Sequence, residues 1–276
     1  MQDILPYLIC AAAYAAIATL LYRQLSGAAG EEPDRLDEGR LRVLHLATLV
    51  PLLLHTWLLY RAVFGVDGMY LGVGSSVSVI IWLTVLIYWL GGFFHRLEGL
   101  QIFILGCASV LVLFPLLFPS VRPLSHTDLA AFRLHLIISL LAYSLFTIAS
   151  LQALMMAVLE RRLRGGRLPP YLRSLPPLLT MEQLLFRIIG AGFLLLTLTL
   201  ASGMLFSEEL FGRPLQFTHK VVFGIAAWCI FAALLAGRQV AGWRGRTALG
   251  WTLAGFFALL LAYIGSKFVI EVILKR

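Results

Sequence analysis

Eight stretches of this chain are long, apolar and almost free of charge, at about 4–22, 42–63, 69–91, 101–118, 128–158, 184–206, 216–236 and 247–273. Each is near or above the roughly 20 residues that a helix needs to cross about 30 Å of hydrocarbon. A segment in hydrocarbon must satisfy its own backbone hydrogen bonds, so these runs are expected to be helices. Hydrophobic residues make up 60% of the 276 and charged residues 13%. A soluble domain has roughly half and a quarter. The expected fold class is all-α, a polytopic membrane protein whose residues 1–276 form one bundle of about eight transmembrane helices. Span 5 exceeds a bilayer's thickness and is expected to extend beyond it or tilt. Residues 159–183 read as a basic, proline-broken loop, and Ser174 to Glu182 as a short interfacial segment.

The connections divide by charge. Arg23, Arg35, Arg40 and Arg42 fall between spans 1 and 2, and Arg96 between 3 and 4. Arg161, Arg162, Arg164, Arg167 and Arg173 fall between 5 and 6, and Arg238, Arg244 and Arg246 between 7 and 8. The opposite face has Arg61, Arg122, Arg213 and Lys275-Arg276, with Lys220 and Lys267 close by. Basic loops stay in the cytoplasm, so both termini are expected outside. The net charge of +8 thus suits anionic headgroups of the lipid bilayer. No basic face alternates with exposed aromatics, and no nucleic-acid partner is expected. Met1-Gln2-Asp3 has no positive n-region, so the first span reads as a retained helix. Cys10, Cys107 and Cys229 lie singly, without the spacing for zinc, thiol exchange or covalent haem attachment.

Histidines stand out against this background. His135 and His219 each open a span that starts outside, and His55 is two-thirds along a span that runs outward. All three therefore reach the outer half of the bilayer. Ionisable groups there are costly and usually mark a site. Imidazoles converging from different helices are what a haem iron needs as axial ligands. A hydrogen bond to a neighbouring helix explains any one of them equally well; three at one depth favour a shared site. His126 reads as a solvated loop residue, and His45 and His95 as inner-interface histidines.

Other residues fit the same site. Arg133, Arg213 and Lys220 lie near the outer face, where they could pair with propionates or extend to headgroups. Phe211, Phe217, Phe223 and Trp228 could wall a macrocycle or form an interfacial aromatic belt. Gly190-Ala191-Gly192 and Gly250/Ala254/Gly255 are small-residue contacts for close helix packing. Gly72-Val73-Gly74-Ser75-Ser76 lacks the phosphate-loop pattern. Lys267 and Glu271 read as an i,i+4 ion pair.

The stretch His135-Leu-Ile-Ile-Ser-Leu-Leu-Ala-Tyr143-Ser-Leu-Phe146 resembles a helix of the cytochrome c assembly family, the CcsA-type haem-handling membrane proteins. There the helix opens with a histidine ligand on the outer face. Phe211-Gly212-Arg-Pro-Leu-Gln-Phe217-Thr-His219-Lys220, continuing to Trp228, is similar in spacing to the family's tryptophan-rich segment, Trp-Gly-x-x-Trp-x-Trp-Asp-Pro-Lys. Gly212, Lys220 and Trp228 match. Phe211, Leu215 and Phe217 replace the tryptophans, and Thr218 the acidic residue. Gly242-Trp243-Arg244-Gly245-Arg246 and Gly255-Phe256 resemble the family's next loop and last span. The resemblance covers roughly the second half and is greatest to the YpjD-type inner-membrane branch. The second outer histidine of the family, after its last helices, has no counterpart, and His219 is the candidate to replace it.

The resemblance implies haem b held without covalent attachment in a bacterial inner-membrane protein of cytochrome c-type biogenesis. His135 and His219 would ligate the iron, with His55 a third candidate or a neighbour. Arg133, Arg213 and Lys220 would meet the propionates, and Phe217 and Trp228 the ring. A cytochrome c maturation protein or another membrane complex would be the partner. No nucleophile, phosphate loop or carboxylate pair is visible, so no standalone catalysis is expected. Two alternatives stay open: a non-haem accessory or regulatory subunit that binds a partner complex through the basic loop, and a small transporter, for which no paired broken helices are seen.

Overall fold

A computed structural model describes residues 4–27, 38–65, 68–94, 98–120, 123, 124, 127, 129–166, 172, 175–205 and 219–262. The helices are α1 (Ile4–Gly27), α2 (Glu38–Ala47), α3 (Leu49–Val63), α4 (Val73–Gly91), α5 (Glu98–Leu111), α6 (Phe114–Leu117), α7 (Ala130–Arg164), α8 (Leu178–Leu205), α9 (His219–Ala241) and α10 (Gly245–Leu260). Between α3 and α4, Phe64–Gly65 (β1) pairs antiparallel with Gly68–Met69 (β2). Among the described residues, seven helical segments are long and apolar enough to cross a membrane. The eighth expected span begins as α10, and its remainder, with Lys267 and Glu271, lies outside the described residues. The chain is a polytopic all-α membrane protein. Large apolar side chains such as Leu5, Leu53, Leu194 and Phe257 are exposed, as a surface solvated by lipid allows.

Local breaks have local causes. Span 2 is interrupted at Thr48, between α2 and α3. Pro51 has no N–H to give the carbonyl of Ala47, so the ladder fails there. Pro115 likewise cannot bond back to Leu111, where α5 stops. The Thr48 hydroxyl donates to Leu44 O and accepts from Gln101 Nε2, at 3.0 and 3.1 Å. Several boundaries differ from the sequence expectation, and two of them reshape the loop between spans 5 and 6. Helix α7 runs on through Arg161, Arg162 and Arg164, because a helix leaving the bilayer need not be apolar and cations suit its C-terminal dipole. Helix α8 begins at Leu178, directly after Pro176-Pro177, so residues 178–182 are its first turns.

The bundle is built around α7, which packs on α4, α5, α8 and α10, while α1, α3, α4 and α5 pack among themselves. At its centre the rings of Phe146 (α7) and Phe231 (α9) stack with centroids 4.0 Å apart. Both are fully buried. A Cβ at Gly192 (α8) would meet the Phe146 ring at 3.1 Å, and one at Gly255 (α10) the Phe231 ring at 2.7 Å. Two glycines thus sandwich two rings, and two of the expected small-residue contacts are realised there. Gly74 also has a packing role: a Cβ there would collide with the carbonyls of Phe114 and Phe118.

A buried ion pair ties the helix ends near the basic connections. Glu182 is 7% exposed. It accepts from Arg238 Nη1 at 2.9 Å and from the backbone N–H of Gly245 at 3.2 Å. The Arg238 guanidinium also lies 3.8 Å from the Phe186 ring centre. This joins α8, α9 and α10. Glu182→Gln strips the charge from Arg238's partner and is expected to cost about 2 kcal/mol, as charged hydrogen bonds do. Unfolding in mixed detergent should show this as an earlier midpoint; an unchanged midpoint would mean the pair is not structural.

Candidate functional site

The end of the bundle expected to lie outside is formed by the start of α7, the end of α8 and the start of α9. His135 stands in the second turn of α7 and is half-buried. Its Nδ1 lies 2.8 Å from Ser202 Oγ on α8. The Ser202 hydroxyl donates to Thr199 O at 3.1 Å. A hydroxyl has a single proton; with that proton on Thr199 O the hydroxyl would accept from His135, whose proton would then sit on Nδ1. A neutral ring of that tautomer has its lone pair on Nε2, the arrangement that metal-ligating histidines adopt. Ser139 continues the polar seam: its hydroxyl donates to His135 O at 2.7 Å and lies 3.5 Å from Thr199 Oγ1. Gly203 places no side chain against the ring, where a Cβ would stand 3.5 Å from His135 Cε1.

His219 is the first residue of α9 and is exposed, as is Lys220. Alternating spans make α7 and α9 parallel. His135 precedes Phe146 by eleven residues and His219 precedes Phe231 by twelve. Since those rings stack, the histidines stand within about 2 Å of one level at 1.5 Å per residue. The register of α8, with Leu200 against Gly224, puts His219 about one turn further out. Both registers bring the two helices' histidines to the same end of the bundle.

The other expected residues fall differently. Trp228 lies about 13 Å deeper than His219. Its Nε1–H donates to Thr197 Oγ1 at 2.9 Å and its ring stacks on Phe193, centroids 5.4 Å apart. It joins α9 to α8 below the outer end. Arg133 is exposed and donates from Nε to Thr127 O at 2.6 Å. Arg213 and Phe217, like His95 and His126, lie outside the described residues. His45 stacks on Trp89, centroids 5.8 Å apart.

His55 belongs to a separate group. It is fully buried, with Nδ1 3.3 Å from Tyr14 Oη and Nε2 2.9 Å from Ser78 Oγ. Both nitrogens are engaged, and the ring cross-links α1, α3 and α4. His55→Ala is therefore expected to destabilise the fold by about 3 kcal/mol through the cavity and two stranded hydroxyls. Spectra of the outer site should not change. Loss of a haem signal in a folded His55→Ala protein would assign it to the site.

Sequence reasoning missed Ser202 and Glu182. Their signal was available: a hydroxyl or carboxylate inside an apolar run needs a partner on another helix.

Residues 43–274 match the family described as Cytochrome C assembly protein. The chain belongs to that family. It is 37% identical over 139 residues to "Inner membrane protein YpjD" of Escherichia coli K12, a match covering 50% of this chain and 52% of that protein. It is 36% identical over 85 residues to "Cytochrome c biogenesis protein CcsA" of Prochlorococcus marinus NATL1A, covering 31% of this chain and 27% of that one. The CcsA of a Picosynechococcus strain is 35% identical over 86 residues, 31% of this chain and 25% of that protein. The matched region spans about half the length of YpjD and about a quarter of CcsA. Family and helices together make this a multi-pass bacterial inner-membrane protein related to cytochrome c biogenesis.

Proposed function

We propose that this member of the cytochrome c assembly family holds haem b non-covalently at the outer end of its bundle. His135 and His219 would hold the haem iron. The observation that carries this reading is the hydrogen bond between His135 Nδ1 and Ser202, which holds the ring and would make Nε2 the ligating nitrogen. When bound, haem supplies an iron that accepts imidazole nitrogen and cycles between two oxidation states. The chain's part is to orient His135 through Ser202 and Ser139 and to leave the imidazole uncrowded at Gly203. Arg133, Arg213 and Lys220 offer positive charge for the propionates. Phe217 is the aromatic neighbour proposed for the ring edge, with Trp228 bracing the helices beneath. His55 is assigned to packing.

In the orientation that the basic connections favour, with both termini outside, the site would face the compartment where c-type cytochromes are completed. The proposed partner is a cytochrome c maturation protein that brings the apocytochrome thiols.

Haem titration into detergent-purified protein tests the reading. Wild type should develop a Soret band with sharp reduced α/β bands. His219→Ala should keep a Soret band with altered reduced bands, since His219 is exposed and the half-buried His135, held by Ser202, remains. Replacing Arg161, Arg162 and Arg164 by Gln should change neither. If haem fails to bind while those arginines are needed for function in the membrane, the protein is an accessory subunit instead.

A further inference from the structure

We propose a second site on the inner half of the bundle, one that takes the headgroup of an anionic phospholipid with free hydroxyls, the chemistry of phosphatidylglycerol. A cavity of about 260 Å³ opens between α4, α5, α7 and α8, lined by Tyr88, Leu100, Gln152, Leu175, Leu184 and Arg187 among others. That is just under the ~300 Å³ at which pockets for whole small molecules begin, so it suits a headgroup with its tails left in the bilayer.

Two independent observations point to the occupant. Gln152 is 1% exposed. Its Nε2 donates to Met181 O at 2.8 Å, while its buried Oε1 has no partner. A carbonyl can only accept, so Met181 fixes which end of the amide is which, and Oε1 needs a donor. A buried acceptor left empty costs about 1–3 kcal/mol. Arg187 is the second. It is exposed on α8, about 13 Å along the helix from Leu178, and no described carboxylate pairs with it. An arginine that far along a helix apolar enough to cross a membrane is costly unless it reaches a counter-charge. A phosphodiester supplies that charge, a headgroup hydroxyl supplies the donor for Gln152, and the apolar walls meet the glycerol and the first methylenes. The basic inner loops place this cavity at the cytoplasmic leaflet. The site is independent of the outer histidines.

Native mass spectrometry of the intact protein, with phosphatidylglycerol or phosphatidylcholine added to the detergent, tests it. Wild type should retain phosphatidylglycerol in preference to phosphatidylcholine, whose headgroup has no donor. Arg187→Gln should lower that retention roughly fivefold, the worth of one cation at a lipid surface. Arg187→Lys should keep most of it. Arg162→Gln, an equal loss of charge at an exposed position, should have no effect. Gln152→Met should reduce the preference between the two lipids. Equal loss in Arg187→Gln and Arg162→Gln would reduce the effect to bulk charge and overturn the site. So would equal retention of both lipids by wild type, or displacement of phosphatidylglycerol by millimolar inorganic phosphate, which would make it a free-anion site.

Discussion

Phe231→Ala is expected to cost about 3 kcal/mol, as the loss of a fully buried aromatic ring does. Lipid is as apolar as the core, so the loss comes from forfeited packing rather than from transfer to water. The ring stacks on Phe146, and a Cβ at Gly255 would come within 2.7 Å of it. Removing the ring leaves a cavity touching α7, α9 and α10. The opposite change, Gly255→Ala, forces a methyl onto the ring and should cost about 1–3 kcal/mol. The two are coupled: in Phe231→Leu the added methyl has more room, so the double variant should be more stable than the sum of the singles by about 1 kcal/mol. Unfolding midpoints of the four proteins in mixed detergent measure this. Strict additivity would mean the glycine and ring do not meet.

His135→Ala is expected to abolish haem retention, and Ser202→Ala to weaken it about 10- to 100-fold, the usual cost of losing a ligand's hydrogen-bond partner. The pair discriminates between a ligand and a packing histidine. A packing role predicts that both variants lose stability and neither changes a spectrum. A ligand role predicts that Ser202→Ala folds normally and binds haem more weakly. Ser202→Thr, which keeps the hydroxyl, should recover most of the binding. Equal haem affinity in wild type and Ser202→Ala would contradict the orientation ascribed to His135.

The spans were legible because a helix that crosses hydrocarbon satisfies its own backbone and needs a long apolar run, which leaves a hydropathy signature. Their ends were less so. Nothing in the composition of 159–164 marks the continuing helix, since a helix beyond the bilayer follows propensity and not hydropathy. The break at Thr48 was readable from Pro51 in a helix interior and was passed over. The outer-half placement of His55 did not identify its role, because Tyr14 and Ser78 lie 41 and 23 residues away and hydropathy does not say which helices are neighbours. His135 was legible as a site residue from its position at a span mouth. Its tautomer was not, because that depends on Ser202, 67 residues further along.

The most direct measurement is the reduced-minus-oxidised absorption spectrum of protein purified from membranes, recorded beside His135→Ala and supplemented with haem. A Soret band with sharp α/β bands in wild type, missing from a folded His135→Ala protein, is the predicted result. A wild-type protein with no Soret band after haem is added, or equal bands in both proteins, would contradict a haem site at the outer end of this bundle.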